Sequence, residues 1–313
     1  MNRHFRPSAN DNGFDGSVEP AYQMVPIGGV RTVRLENVGE ATEFRVSNDH
    51  VSVARTPNGL SIMGLSVGTS YVQLLTPDEQ EQMTRMGIHL SVAGRLLKCC
   101  VKEKRTYRIA YAFIDDESGQ QTTRRDRSRE KIEDLTNMVN GILRPQTNME
   151  FTIHSVRNQT LQRKDSIGLA LDSEDQNDWN ALRQFDVSAS DVINIYFVRN
   201  LVGRDLAAAT LGGRTIAVQD MHTSGSSRRL EIGASVLAHE IVHCFDVEHV
   251  DEPSSGGRRS LMNEANQLVG LNAGRRRGYF NLSSAIIDRA NPSGIVAIRR
   301  PESPGIQIQR PEY

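Results

Sequence analysis

Cysteine is scarce: the 313 residues include three, Cys99, Cys100 and Cys244, two of them adjacent. That supply excludes the disulfide framework on which small secreted scaffolds depend. Long apolar runs are missing too. No stretch approaches the ~18 apolar residues of a membrane-crossing helix, and the first twenty residues, MNRHFRPSANDNGFDGSVEP, lack the apolar centre of a secretory signal. The expected location is therefore cytoplasmic, or outside the cell by a non-classical route. Charge of one sign is lacking as well. The 37 basic and 38 acidic residues leave a net charge of −1, so no global field draws the chain onto nucleic acid or an anionic membrane. The short basic clusters Arg124-Arg125 and Arg275 to Arg277 read as solvated surface, and any partner must be recognised locally.

What is present begins with length. A chain of 313 residues exceeds one small domain and predicts two. From Ala21 to about residue 97, short alternating runs (VRTVRL, EFRVSN, HVSVAR, GLSIMGL, SYVQLL, GIHLSV) are separated by Gly, Asn, Pro and Asp turn signals, the pattern of a small all-β sandwich. Within it, VSVARTPNGLSIMGLSVGTSYVQLL resembles the repeat of bacterial immunoglobulin-like (Ig-like) domains. After GRLLKCCVKEKR, read as a linker, the rhythm changes. TYRIAYAFI, MEFTIHSV, DVINIYFV and RTIAVQD read as strands; REKIEDLTNMVNGIL reads as a helix with Ile132, Leu135, Met138/Val139 and Ile142 on one stripe, and a second helix runs from about Arg229 to Phe245. This predicts an α+β or α/β layer. Residues 1–20 read as a flexible segment, and residues 293–313, which carry Pro301, Pro304 and Pro311, as a loose tail.

The chemistry is concentrated in SVLAHEIVHCFDVEHVDEPSSGGRRSLMNEAN, Ser235 to Asn266. His239 and His243 are four apart, so on a helix they lie about 40° apart around the axis and ~6 Å along it, with both imidazoles facing one point. They would supply half of the tetrahedral shell that zinc takes from nitrogen donors. Glu240 points to a neighbouring direction, where it would reach a metal-bound water without being a ligand. His249 is six residues beyond His243. On a continued helix it would be rotated by about 240° and displaced ~9 Å, so the chain must turn sharply, and Asp246 suits that turn because Asp visits the left-handed conformation at modest cost.

HEIVHCFDVEH is similar to the metzincin zinc-binding consensus HExxHxxGxxH, and RRSLMN resembles that clan's Met-turn, with Met262 beneath the metal. The departure is Asp246 in place of Gly, at a cost of about 1 kcal/mol. Upstream AAATLGGRTIAVQD resembles the clan's substrate-binding edge strand, and downstream NLSSAIIDRA resembles its C-terminal helix, so the likeness spans residues 103–292. It implies two domains: an N-terminal Ig-like β-sandwich over 21–97, then a metzincin-like zinc peptidase domain, a mixed twisted sheet with an active-site helix.

The implied activity is a zinc endopeptidase. Zn2+ would be held by His239, His243 and His249, with Glu240 as general base. An extended protein or peptide substrate would lie antiparallel to Thr215, Ile216, Ala217 and Val218, and Tyr279 is a candidate oxyanion donor. Cys99 or Cys100 could block the metal from a pro-segment, although no switch motif surrounds them. Cys244 reads as core. A protease with an Ig-like module and no signal segment also suits a bacterial effector whose N-terminal part is recognised by a secretion or injection apparatus. Two rivals stand beside this reading. One is a gluzincin-like set of His239, His243 and Glu264, and the other is a non-catalytic surface-binding protein with a structural zinc. Replacing His249 and Glu264 separately and measuring bound zinc separates the ligand sets: loss with His249→Ala alone is the expected result, and loss with Glu264→Ala alone would reverse the assignment.

Overall fold

The computed structural model describes residues 4–8, 13–16, 18–39, 42–86, 95–115, 128–161, 171–202, 207–219, 227–249, 261–262 and 284–291. The chain is mixed α/β and rich in sheet, and it divides into two compact units. The first contains Met1–Arg105, Pro145–Asn148 and Asn281–Val296; the second contains Thr106–Arg144, Met149–Phe280 and Ala297–Tyr313. No helix among the described residues is long and apolar enough to cross a membrane.

In the first unit, strands β1 (Phe5–Pro7), β4 (Val30–Leu35), β6 (Val51–Thr56) and β7 (Gly59–Gly64) form a sheet of order β1-β4-β7-β6. A second sheet has the order β2-β3-β9-β8-β5, from β2 (Phe14–Asp15), β3 (Ala21–Pro26), β5 (Glu43–Val46), β8 (Gly68–Leu75) and β9 (Leu96–Lys102). Phe5, Val33, Leu60 and Ile62 of one sheet and Ala21, Val25, Val72, Leu74, Leu97 and Val101 of the other join one apolar cluster. The alternation seen in the sequence is the inward face of these strands.

Three expectations need correction. Within the segment read as flexible, Phe5–Pro7 and Phe14–Asp15 are strands paired with β4 and β3, and Phe5 is fully buried. The stretch read as a linker is β9, which pairs in parallel with β3 and antiparallel with β8. Five of its seven residues are buried, Cys99 and Cys100 among them, and burial pushes both thiols up, away from the reactive thiolate. Helix α1 (Pro77–Met86) interrupts the expected all-β run. Its signal was legible: Thr76 and Glu79 form a reciprocal capping box, the Thr76 amide donating to Glu79 Oε2 at 2.8 Å and the Glu79 amide to Thr76 Oγ1 at 3.3 Å, and Pro77 occupies the first helical position. The expected strand GIHLSV lies outside the described residues, as does the tail.

The second unit holds β10 (Arg105–Asp115) from Thr106 onward, α2 (Arg129–Thr147) as far as Arg144, β11 (Met149–Thr160), α3 (Gln176–Arg183), β12 (Val192–Val198), β13 (Ala207–Ala209), β14 (Thr215–Gln219) and α4 (Ser227–His243). The sheet order is β11-β10-β12-β14-β13. Strands β10, β12 and β14 run parallel and β13 antiparallel. Every residue of β12, VINIYFV, is buried, as the centre of a sheet covered on both faces requires. On α2 the buried stripe is Ile132, Leu135, Val139 and Leu143; Ile142, expected on it, is half-buried, because the position four after Val139 lies closer to the stripe than the position three after it. Helix α3, which the sequence reading passed over, is capped by Asp175, whose side chain accepts from the Asn177 amide at 2.8 Å.

Helix α5 (Ser284–Ala290), which resemblance assigns to the end of a peptidase domain, makes its contacts in the first unit. Its buried face is Ile286, Ile287 and Ala290. The Ser284 amide donates to Asp15 Oδ2 at 3.0 Å. At the other end the fully buried Lys102 donates to Asp288 Oδ1 at 2.7 Å and to the Asn291 carbonyl at 2.6 Å, while Tyr22 Oη donates to the same Asp288 oxygen at 3.0 Å. A buried ammonium tolerates that position only when paired. Asp288→Asn should therefore cost about 3 kcal/mol in denaturant unfolding, and Lys102→Met added to it should restore most of the loss. No restoration would mean that the pair is not what makes the site tolerable.

Candidate metal centre

Helix α4 brings the first two histidines together. From Gly233 to His243 it is apolar but for Ser235, His239, Glu240 and His243, and every one of those positions that carries a side chain is buried. A helix enclosed on all sides must satisfy its polar groups internally or with a ligand. It ends at His243. The Phe245 amide donates to the Val242 carbonyl at 3.0 Å and the Asp246 amide to the His243 carbonyl at 2.9 Å, and Asp246 stands at φ +62. This is the left-handed turn expected at that residue, and it carries the chain back to His249.

The three Nε2 atoms converge. They lie 3.0 Å apart for His239 and His249, 3.0 Å for His239 and His243, and 3.1 Å for His243 and His249. His239 Nδ1 meets the Leu261 carbonyl at 2.7 Å and His243 Nδ1 meets the Val247 carbonyl at 2.6 Å. A carbonyl only accepts, so each Nδ1 carries the proton, and in the neutral ring Nε2 is then a bare lone pair. Burial, followed by the neighbouring imidazoles, pulls His239 well below its usual value and His243 down to about 4. At neutral pH these two lone pairs therefore face each other across 3.0 Å. Two acceptors cannot bond, whereas a cation between them turns the repulsion into coordination.

The donor set fits zinc. Tetrahedral bonds of ~2.0–2.1 Å separate ligand nitrogens by roughly 3.3 Å, close to the separations observed. Neutral imidazoles suit zinc, copper, nickel and iron alike. Among the described residues these three histidines are the group able to hold a metal. The carbonyls that orient two of them, from Leu261 and Val247, are the partners that such ligands require, and sequence reasoning missed both because a backbone carbonyl has no residue signature.

Other expected site residues fall as follows. Glu240 is buried beside His239 on α4. Leu261 and Met262 are fully buried, and the Leu261 contact brings the expected Met-turn segment to His239. Thr215, Ile216, Ala217 and Val218 do not line a sheet edge: β14 is paired with β12 on one side and with β13 on the other, Ala207 opposite Val218, Ala208 opposite Ala217 and Ala209 opposite Ile216. Among the described strands the edge on this side of the sheet is β13, with β11 at the opposite edge; β13 is a three-residue strand too short and too alanine-rich to be read from sequence. Glu264 and Tyr279 lie outside the described residues.

No family model and no curated protein matches the chain. Solved structures similar to it include archaemetzincin from Methanopyrus kandleri, at 13% identity and a TM-score of 0.35, over 60% of this chain and 88% of that one. Another is a chaperone-substrate complex, at 12% identity and a TM-score of 0.32, over 69% of this chain and 34% of that one. At scores this low, function is read from the histidine cluster itself.

The depressed imidazoles carry a sign. An unfolded histidine takes up its proton near the usual value of 6.5, whereas folded His243 does so only at about 4, so the unfolded state binds more protons in between and stability falls as the pH drops. Metal-free protein should lose thermal stability progressively from about pH 6.5 to pH 4, and His243→Ala should flatten that slope; a slope unchanged by the substitution would assign it to other groups.

Proposed function

We propose that the chain is a zinc-dependent endopeptidase of the metzincin kind. The observation that carries this reading is the convergence of three Nε2 atoms at 3.0–3.1 Å, with Nδ1 of His239 and of His243 committed elsewhere, next to a buried carboxylate that lies outside the ligand group. A purely structural site has no need of that carboxylate.

His239, His243 and His249 would hold the ion. Bound there, it supplies a double positive charge that three neutral ligands leave undiminished, acidifying water toward pKa ~7 and polarising a carbonyl. Glu240 accepts the water's proton during attack on the peptide carbonyl and returns it to the departing amine. Met262 closes the floor of the site. The substrate, an extended peptide, pairs antiparallel with the outer edge of β13 through main-chain hydrogen bonds, which give affinity without side-chain choice. Strand β14 supports β13 from behind.

The first unit, with its two sheets around one core, we read as an Ig-like recognition module, and a secretion or injection apparatus is the partner that fits an exported bacterial effector. Failure of the full chain to co-purify with such an apparatus would remove that role and leave the chemistry untouched.

Glu240→Gln should retain zinc at one equivalent and lower casein hydrolysis by roughly 10²–10⁴-fold, and a chelator should abolish hydrolysis in the parent protein. Full activity in Glu240→Gln would exclude the carboxylate as the base.

A further inference from the structure

Asp246 occupies a backbone conformation that glycine would hold at lower cost. Its φ of +62 is shared, among the described non-glycine residues, only with two asparagines, Asn37 and Asn148, at φ +56. An outlier of this kind points to a use for the side chain.

That side chain, exposed on the turn, stands over the open side of Gly212. At Gly212, itself left-handed at φ +63, the three heavy atoms nearest the position a Cβ would take are Asp246 Oδ1 at 3.5 Å, Cβ at 3.6 Å and Cγ at 3.8 Å. The Gly212 amide donates to the His243 carbonyl at 2.9 Å, the same oxygen that accepts from the Asp246 amide at 2.9 Å. The metal turn and the β13–β14 hairpin thus meet on one oxygen of a metal-ligand residue. The hairpin is tight in its own right: the Gly213 amide donates to the Thr210 carbonyl at 2.8 Å and the Thr210 amide to the Thr215 carbonyl at 3.2 Å. A Cβ on Gly213 would come within 2.0 Å of Thr210 Oγ1. A rigid hairpin seated at its tip transmits that seat to the strand it carries.

From this geometry we infer that Asp246 is a positioning residue. Its side chain packs the hairpin tip onto the end of the metal-bearing helix and so sets the register of the β13 edge against the three imidazoles. The inference rests on the proposed peptidase reading, and it assigns the departure from glycine in this motif to alignment of the substrate strand.

The test compares Asp246→Gly and Asp246→Asn in the full chain. Hydrogen exchange over Leu211 to Arg214, bound zinc, and steady-state cleavage of a peptide substrate are measured. Asp246→Gly should keep its zinc and its kcat, exchange the Gly212 region about tenfold faster and raise KM several-fold. Asp246→Asn, of the same shape and equally tolerant of positive φ, should match the parent in all three. Parental exchange and KM in Asp246→Gly would overturn the inference, as would an Asp246→Asn variant perturbed as strongly as Asp246→Gly. A parent protein that binds no zinc would instead sink the peptidase reading, while the exchange comparison, made on metal-free protein, still decides the seat.

Discussion

Three imidazoles cannot meet on a straight helix. Two of them, four residues apart, share a face, but the third stands six residues further on and would be carried round and away by ~9 Å if the helix ran on. The reversal after His243 is therefore the constraint on which the centre depends. It is met by one residue at φ +62, Asp246, and by the hydrogen bonds that gather on the last helical carbonyl. Val247 follows buried, and its own carbonyl turns back to hold His243. The bend and the orientation of His243 are thus made within the same five residues, His243 to Val247.

Around that bend the scaffold keeps the imidazoles of His239 and His243 neutral and aimed. Burial disfavours the imidazolium, the fixed Nδ1 protons leave Nε2 exposed to a common point, and the Leu261 carbonyl reaches His239 from a segment 22 residues further along the chain. Preorganisation of this kind costs stability in the absence of a cation, since like lone pairs are held together. A cation entering there would meet a site already shaped for it, with little reorganisation left to oppose binding.

The centre was legible in the sequence because its information is local. HExxH sets two ligands through the helical period alone, and the six-residue gap demands a turn that only a few residue types accept. The edge of the sheet was not legible. Thr215 to Val218 carry the stronger strand pattern, yet β13, three alanines, is what lies outside them; strand order is decided by pairing between distant segments, which periodicity does not encode. Likewise β9 was hidden by Lys98, Lys102 and the two adjacent cysteines, because the partners that make Lys102 tolerable, Asp288 and the Asn291 carbonyl, stand more than 180 residues away. Helix α1 was missed for a different reason. Thr76-Pro77-Asp78-Glu79 is a complete local start signal, overridden by the expectation of an unbroken run of strands.

The coordination shell is the central assignment. Zinc-edge X-ray absorption or anomalous diffraction on the zinc-reconstituted chain should show one ion with three imidazole nitrogens at ~2.0–2.1 Å, identified as those of His239, His243 and His249, and with the Glu240 carboxylate outside the shell. An ion held by fewer than three of these rings, a Glu240 oxygen among the ligands, or no ion at all after reconstitution would contradict it.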